Sequence, residues 1–259
     1  MGFNRYSNDE INNISDAIDS GLKNKWNKIL ENKFAQKFNT KYAIGVNSGT
    51  SAIHVALLAL GIKDGDEVIT TPLTFAAPAI AAAICGAKPV FADIDKDTFN
   101  ITAETIKKCI TKKTKAIIAV SIYGLPVDID SINELAKIHN IKVIEDNAEC
   151  FLGIQPDDKI CGSQSDIACF SFQRSKHITS ETGGIIITNS DTLAEKCRKF
   201  SILGYSSLQA ESGKSLVTRE QLSDPNFVRH EFIAPNYRLA EFCAAAMVAQ
   251  LSKAENFIN

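Results

Sequence analysis

The sequence predicts an α/β protein, a three-layer α/β/α arrangement around a mostly parallel sheet. Three observations carry this prediction. Short apolar, β-rich runs alternate with helical stretches from Lys41 to Glu145. The ends of several runs carry small, hydroxyl or acidic residues, at the carboxyl edge where such sheets hold their ligands. The chain has 259 residues, 45% hydrophobic and 22% charged, which is enough to bury a core between layers.

The elements follow in order. Residues 1–40 are polar, lack the apolar core of a signal peptide, and are assigned to an N-terminal helical segment. The run "YAIGV" (42–46) leads through "NSGTS" into the helical "SAIHVALLALG" (51–61). "EVITT" (67–71) leads through "PLTF" into "TFAAPAIAAAICG" (74–86), and "KPVFAD" (88–93) precedes "AETIKKCI" (103–110). "KAIIAV" (115–120) and "SIYG" precede "DIDSINELAKIHN" (128–140), and "KVIED" (142–146) ends in "EDNAE". The helical stretches close near Gly, Lys or Asn, as helix C-termini tend to. Two further apolar runs follow, "DIACFSF" (166–172) and "GGIIITN" (183–189), then helical stretches at 191–202 and 237–258. Between those, 204–235 is polar and turn-rich and reads as a long loop or flap. No linker divides the chain.

The totals exclude some functions. A net charge of −2 gives no global attraction to nucleic acid or anionic membrane. Lys107-Lys108 and Lys112-Lys113 read as solvated helix ends. The longest apolar stretch, Phe75–Cys85, is too short to span a bilayer. Seven scattered cysteines form no C-x-x-C and, with four histidines, fall at no metal-ligand spacing. They read as reduced thiols, several of them buried, in a cytoplasmic protein.

Three motifs bear chemistry. Ser48-Gly49-Thr50 lies between a strand and a helix, where free amides and a glycine suit a phosphate; an ordinary N-cap is the alternative. Asp146 ends a buried strand and would favour a cationic partner, with an N-cap or a metal ligand as alternatives. Lys176, in "CFSFQRSKHITSETGG", is either a surface charge or a nucleophilic amine able to form a Schiff base. Phe75, after a strand end, either packs in the core or stacks on a ring. A phosphate cradle, an acid for a ring nitrogen and a nucleophilic lysine are together what pyridoxal phosphate requires.

These residues also resemble the DegT/DnrJ/EryC1/StrS aminotransferases, sugar aminotransferases of the fold-type I pyridoxal-phosphate class. The resemblance runs from about Asp9 to the end of the chain, on "NSGTSAIHVALLALGIKDGDEVITTPLTF", "GAKPVFADIDKDTFNI", "YGLPVDID", "VIEDNAE", "CFSFQRSKHIT" and "RHEFIAPNYRLAEFCAAAMVAQL". It implies that 1–259 is the large, cofactor-binding domain of that fold, without the family's smaller C-terminal domain. It implies that Lys176 binds pyridoxal phosphate covalently and later shuttles protons. Asp146 would face the ring nitrogen, Phe75 would stack on the ring, and Glu149 would lie near the ring oxygen, where the family commonly has His or Gln. Gly49, Thr50 and Ser171 would hold the phosphate. Asn236 would reach the phosphate of a neighbouring subunit, making a homodimer with shared sites. The implied reaction moves an amino group from an amino acid, usually L-glutamate, to a keto-sugar nucleotide. A related sugar dehydratase is the second reading; family dehydratases that carry histidine in place of the lysine differ from this chain. A non-catalytic cofactor-binding relic is the third. Two departures stand out. Glu181 and Thr182 replace the family's glycine and acid, which predicts a re-shaped loop, and Ser121 replaces a histidine often found before "YG".

Overall fold

The computed structural model describes residues 6–211 and 217–258. The first residues of the 1–40 segment, 1–5, and part of the 204–235 loop, 212–216, lie outside the described residues. The N-terminal segment forms two helices, α1 (Asn8–Asp19) and α2 (Lys25–Lys37). The main body follows as β1 (Tyr42–Val46), α3 (Gly49–Ala59), β2 (Glu67–Thr70), α4 (Ala77–Ile84), β3 (Lys88–Phe91), α5 (Ala103–Lys107), β4 (Thr114–Val120), α6 (Ile129–His139) and β5 (Lys142–Asp146). Then come β6 (Ile167–Ser171), β7 (Gly184–Thr188), α7 (Asp191–Ser201), α8 (Arg219–Ser223), α9 (Glu241–Ser252) and α10 (Glu255–Ile258).

The seven strands form one sheet in the order β1-β7-β6-β5-β4-β2-β3. Pairings among β2 to β6 are parallel, and β7 runs antiparallel to both β1 and β6. This is the mostly parallel three-layer sheet that the alternation predicts, with one reversed strand.

Strand pleat decides the layers, because successive side chains point to opposite faces. Ile44, Ile118, Ile144, Cys169 and Ile186 pack on one face, against α3, α4 and α7. On the other face Ala43, Phe170, Ile185 and Ile187 meet α1, α2 and α9, while Ile117 and Val143 meet α5 and α6. An aromatic cluster anchors that second layer, with Phe34 stacked on Phe38 at 4.5 Å and edge-on to Phe170 at 5.2 Å. Buried Arg198 of α7 ties α2 to the sheet through a bidentate pair with Glu31, at 3.1 and 3.0 Å.

Several boundaries differ from the sequence reading. The stretch 237–258 is not one helix. Residues 237–240 run extended beside β1, where Arg238 bridges Val46 and Asn47 N–H donates to Tyr237 O at 2.8 Å, so the helix starts only at Glu241. The 74–86 stretch is helical only over Ala77–Ile84, since Pro78 suits the first helical turn and not a helix interior. The 103–110 stretch stops at Lys107. The 204–235 loop contains the short α8, opened by a capping box between Thr218 and Gln221.

Candidate active site

The site forms where the carboxyl edge of the sheet meets the start of α3. Ser48 caps that helix, its Oγ accepting Ser51 N–H at 3.0 Å. The Gly49 and Thr50 amides are the first two of the helix and have no acceptor within it, so they point outward as donors at its positive end. The N-cap alternative thus holds on Ser48, and it leaves the Gly49 and Thr50 amides as outward donors of the kind an anion binds.

Glycine at 49 is required by close approach. A Cβ there would lie 2.8 Å from Ser171 Cβ and 3.1 Å from Ser171 Oγ. The Ser171 hydroxyl can sit at the helix start only because that Cβ is missing. Gly184 serves the same region, since its own Cβ would lie 2.5 Å from Ser48 O. This is the physical reason for a small residue where β7 passes under the α3 N-terminus.

Pleat sends Asp146 to the α3 face of the sheet and its neighbour Glu145 to the opposite face. Glu145 is fully buried there, accepting from Gly162 N–H and Ser165 Oγ, both at 2.7 Å; its pKa is pushed up by burial. Asp146 is 5% exposed and its carboxylate accepts Ala148 N–H, at 3.1 Å. Burial holds its carboxyl up at about 6, against the lowering pull of Ala148 N–H and the Lys176 ammonium.

Lys176 follows β6 on a turn whose backbone closes from Lys176 N–H to Gln173 O at 2.9 Å. Its side chain is mostly buried, and Nζ lies 3.2 Å from Glu149 Oε1. The second oxygen of Glu149 accepts Tyr123 N–H at 3.4 Å. Glu149 thus joins the lysine to the "YG" turn after β4. Phe75 stands at the mouth, 76% exposed, which removes the core-packing alternative.

One cavity of about 250 Å³ is lined by Gly49, Thr50, Phe75, Asp146, Glu149, Ser171 and Lys176 together. Asn236 does not line it. It lies at a second, polar cavity of about 680 Å³ with Glu31, Arg198 and Arg238, where its Oδ1 accepts Arg238 Nε at 3.0 Å. Ser121 is fully buried and does not line the cavity; its Oγ accepts Val127 N–H at 3.3 Å. Sequence reasoning missed Gln173, Ser175 and Thr74, which also line the cavity. The first two stand within "SFQRSK", and their nearness to Lys176 was the available signal.

The loop after the lysine carries the Glu181 and Thr182 departures. Glu181 takes the left-handed conformation that a glycine would take there, with φ of 71°. Glu181 N–H donates to Thr179 Oγ1 at 3.0 Å, and Glu181 O accepts Arg174 N–H at 3.1 Å, which keeps the backbone in place despite the Cβ. Thr182 Oγ1 donates to Asn47 O at 3.0 Å, stitching this loop to the phosphate-cradle side. Replacing Glu181 by glycine is expected to stabilise the protein by about 1 kcal/mol, by removing left-handed strain. Urea denaturation checks it; a loss of stability would mean that the Glu181 side chain holds the loop.

The donor set fits pyridoxal phosphate. Outward amides and a hydroxyl, packed too closely for a Cβ, suit a phosphate. An under-bonded buried carboxylate suits a ring N–H⁺, and a sheltered amine suits an aldehyde. Among the described residues no cluster of His, Cys, Asp and Glu could hold a metal, and no helix is long and apolar enough to cross a membrane.

Comparison with known proteins agrees with this geometry. GDP-perosamine synthase of Escherichia coli O157:H7 is 41% identical over 249 residues, covering 95% of this chain and 64% of its own length. The solved aminotransferase of Psychrobacter cryohalolentis is 34% identical with a TM-score of 0.85, over 97% of this chain and 63% of that one. The solved E. coli GDP-4-keto-6-deoxy-D-mannose-3-dehydratase with bound hydrated PLP is 27% identical with a TM-score of 0.85, over 98% of this chain and 67% of that one. The chain thus spans about 64% of the length of its curated E. coli relative. A family model matches residues 4–259, and on that match the chain belongs to the DegT/DnrJ/EryC1/StrS aminotransferase family.

Proposed function

We propose that this chain is the cofactor-binding domain of a pyridoxal-phosphate-dependent aminotransferase, moving an amino group from L-glutamate to a keto-sugar nucleotide in the cytoplasm. The observation that carries the reading is the meeting of the Lys176 amine, the Asp146 carboxylate and the free amides of α3 in one cavity. When bound, pyridoxal phosphate supplies a carbonyl for the amine and a ring that accepts the electrons left by a departing proton. Gly49, Thr50 and Ser171 would hold its phosphate, and Phe75 would cover its ring. The Asp146 carboxylate, short of hydrogen bonds and away from water, keeps a proton at the ring nitrogen. The Lys176 amine would hold the cofactor and would serve as the base that takes the proton at the donor's α-carbon. Glu149 orients Lys176 through the 3.2 Å contact.

The amino-transfer reading is favoured over the dehydratase reading by the lysine itself. The resemblance associates the family's histidine-bearing members with dehydration, and this chain carries Lys176. The experiment is a two-step titration. Pyridoxal phosphate is expected to raise a visible absorption band, and L-glutamate to remove it with release of the matching keto acid. A band untouched by glutamate would reject glutamate as the donor, and no band at all would reject the reading.

We also propose a homodimer with shared sites. Asn236 lies outside the cavity that holds Lys176, and Phe75, Ile80 and Ile84, exposed on and just before α4, offer apolar surface. Sedimentation equilibrium is expected to give twice the chain mass; a monomer at micromolar concentration would reject the shared site.

A further inference from the structure

Behind Glu149 lies a pair of buried thiols that the proposed reaction does not use. Cys150 follows Glu149 directly and is 1% exposed; Cys161 is fully buried. Gly153 sits between them, and a carbon added to it would lie 2.3 Å from Cys150 Sγ and 3.3 Å from Cys161 Sγ. Both sulfurs thus border the space over the Cα of one glycine. Cys150 Sγ donates to Gly124 O at 3.4 Å, and Gln155 Nε2 donates to Cys161 Sγ at 3.5 Å. Two sulfurs thus converge on Gly153, next to the residue that pairs with the candidate nucleophile.

We propose that Cys150 and Cys161 are an oxidisable pair, converted by hydrogen peroxide to a disulfide that disturbs the Glu149–Lys176 contact. The Cys150 thiolate attacks one peroxide oxygen, the O–O bond breaks, and the hydroxide released takes up a proton as water. The sulfenic acid left on Cys150 is then attacked by the Cys161 thiolate. An S–S bond forms, and a second hydroxide leaves and is protonated. Two thiols and one peroxide give one disulfide and two waters, so the thiols lose the two electrons that the peroxide gains.

The surroundings support this order. The neighbouring Cys161 holds the Cys150 thiol below its usual range, and the thiolate is the attacking form. Its partner is pushed the other way by Cys150 and by burial. Access requires local opening of the 153–161 segment, an exposed turn with Ile154 half exposed, closed by Cys161 N–H to Gly153 O at 2.9 Å and Gln155 N–H to Lys159 O at 2.8 Å. The reach to Lys176 follows from the bonds that oxidation changes. A disulfide removes the Cys150 S–H from Gly124 O. Gly124 neighbours Tyr123, whose N–H holds Glu149. Both supports of the Glu149 carboxylate are therefore altered, its own chain neighbour and the turn it accepts from.

The test uses the full chain. Protein treated with peroxide is unfolded, alkylated and mapped by mass spectrometry. Two of the seven cysteines should escape alkylation, in one linked peptide pair holding Cys150 and Cys161, and a reductant should restore both. In Cys161→Val, which keeps the site apolar, no linkage should form. Pyridoxal phosphate uptake, read by absorbance, should fall severalfold in the oxidised protein, recover on reduction, and be insensitive to peroxide in Cys161→Val. Full alkylation, a link between any other pair, or terminal oxidation of Cys150 without a link would overturn the pair. A disulfide that leaves uptake unchanged would overturn its reach to Lys176. That second effect rests on the proposed function; the alkylation result does not, so failure of the reduced protein to take up cofactor counts against the proposed function alone.

Discussion

Replacing Lys176 by alanine is expected to abolish covalent capture of pyridoxal phosphate. No visible band should form, borohydride should add no cofactor mass to the protein, and conversion of L-glutamate should fall by roughly 10⁴-fold, the upper range for one group acting as nucleophile and general base. The reason is that this amine lines the cavity together with Asp146 and the α3 amides. The variant should fold, because Lys176 sits in a loop turn held by backbone contacts to Gln173 O. Lys176→Arg is the control. It keeps a cation beside Glu149 but no nucleophile, and should bind the cofactor without the band. A band that survives in Lys176→Ala would transfer the role to another amine and sink the assignment.

Asp146→Asn is expected to act in opposite directions on the free and the loaded protein. Burial holds the Asp146 carboxyl up at about 6, above its unfolded value. The folded chain therefore binds this proton more tightly than the unfolded chain does. The group favours folding most at acid pH, and that contribution is lost as the pH rises through about 6. A shift of about two units corresponds to roughly 3 kcal/mol lost by pH 8. Asparagine removes the ionisation, so the cofactor-free variant should be more stable than the parent at pH 8, by roughly that amount, and should show a flatter dependence between pH 4 and pH 8. Cofactor affinity should fall about tenfold to a hundredfold, the worth of a hydrogen bond to a charged group. Urea denaturation and an absorbance titration read the two effects. A variant destabilised at pH 8 would make Asp146 a structural acid.

Much of this was legible before any coordinates. The alternation of apolar runs and helical stretches marked the strands to within a few residues, because a parallel sheet covered on both faces needs continuous apolar runs. The ends were less legible. Residues 237–240 read as helix by composition, yet their backbone pairs beside β1, and no local signal announces a partner that lies far away in sequence. Glu181 is the reverse case. Its residue type disfavours a left-handed backbone, yet the surrounding hydrogen bonds hold it at a φ of 71°.

The sequence by itself determined the layered fold, the family, and which residue types were available for cofactor chemistry. Gly49, Thr50, Asp146, Ser171 and Lys176 carried chemical meaning from their types and from their places at strand ends. Only the tertiary structure decided which of them meet. In "VIEDNAE" two acids stand side by side, and the pleat of β5 sends Asp146 to the cavity and Glu145 to the opposite layer. It placed Asn236 at a different cavity and brought Cys150 and Cys161 to Gly153. The physical reason is common to these cases. Local sequence sets backbone preference and side-chain chemistry, but a contact across the sheet depends on strand register and face, which are fixed by partners far along the chain.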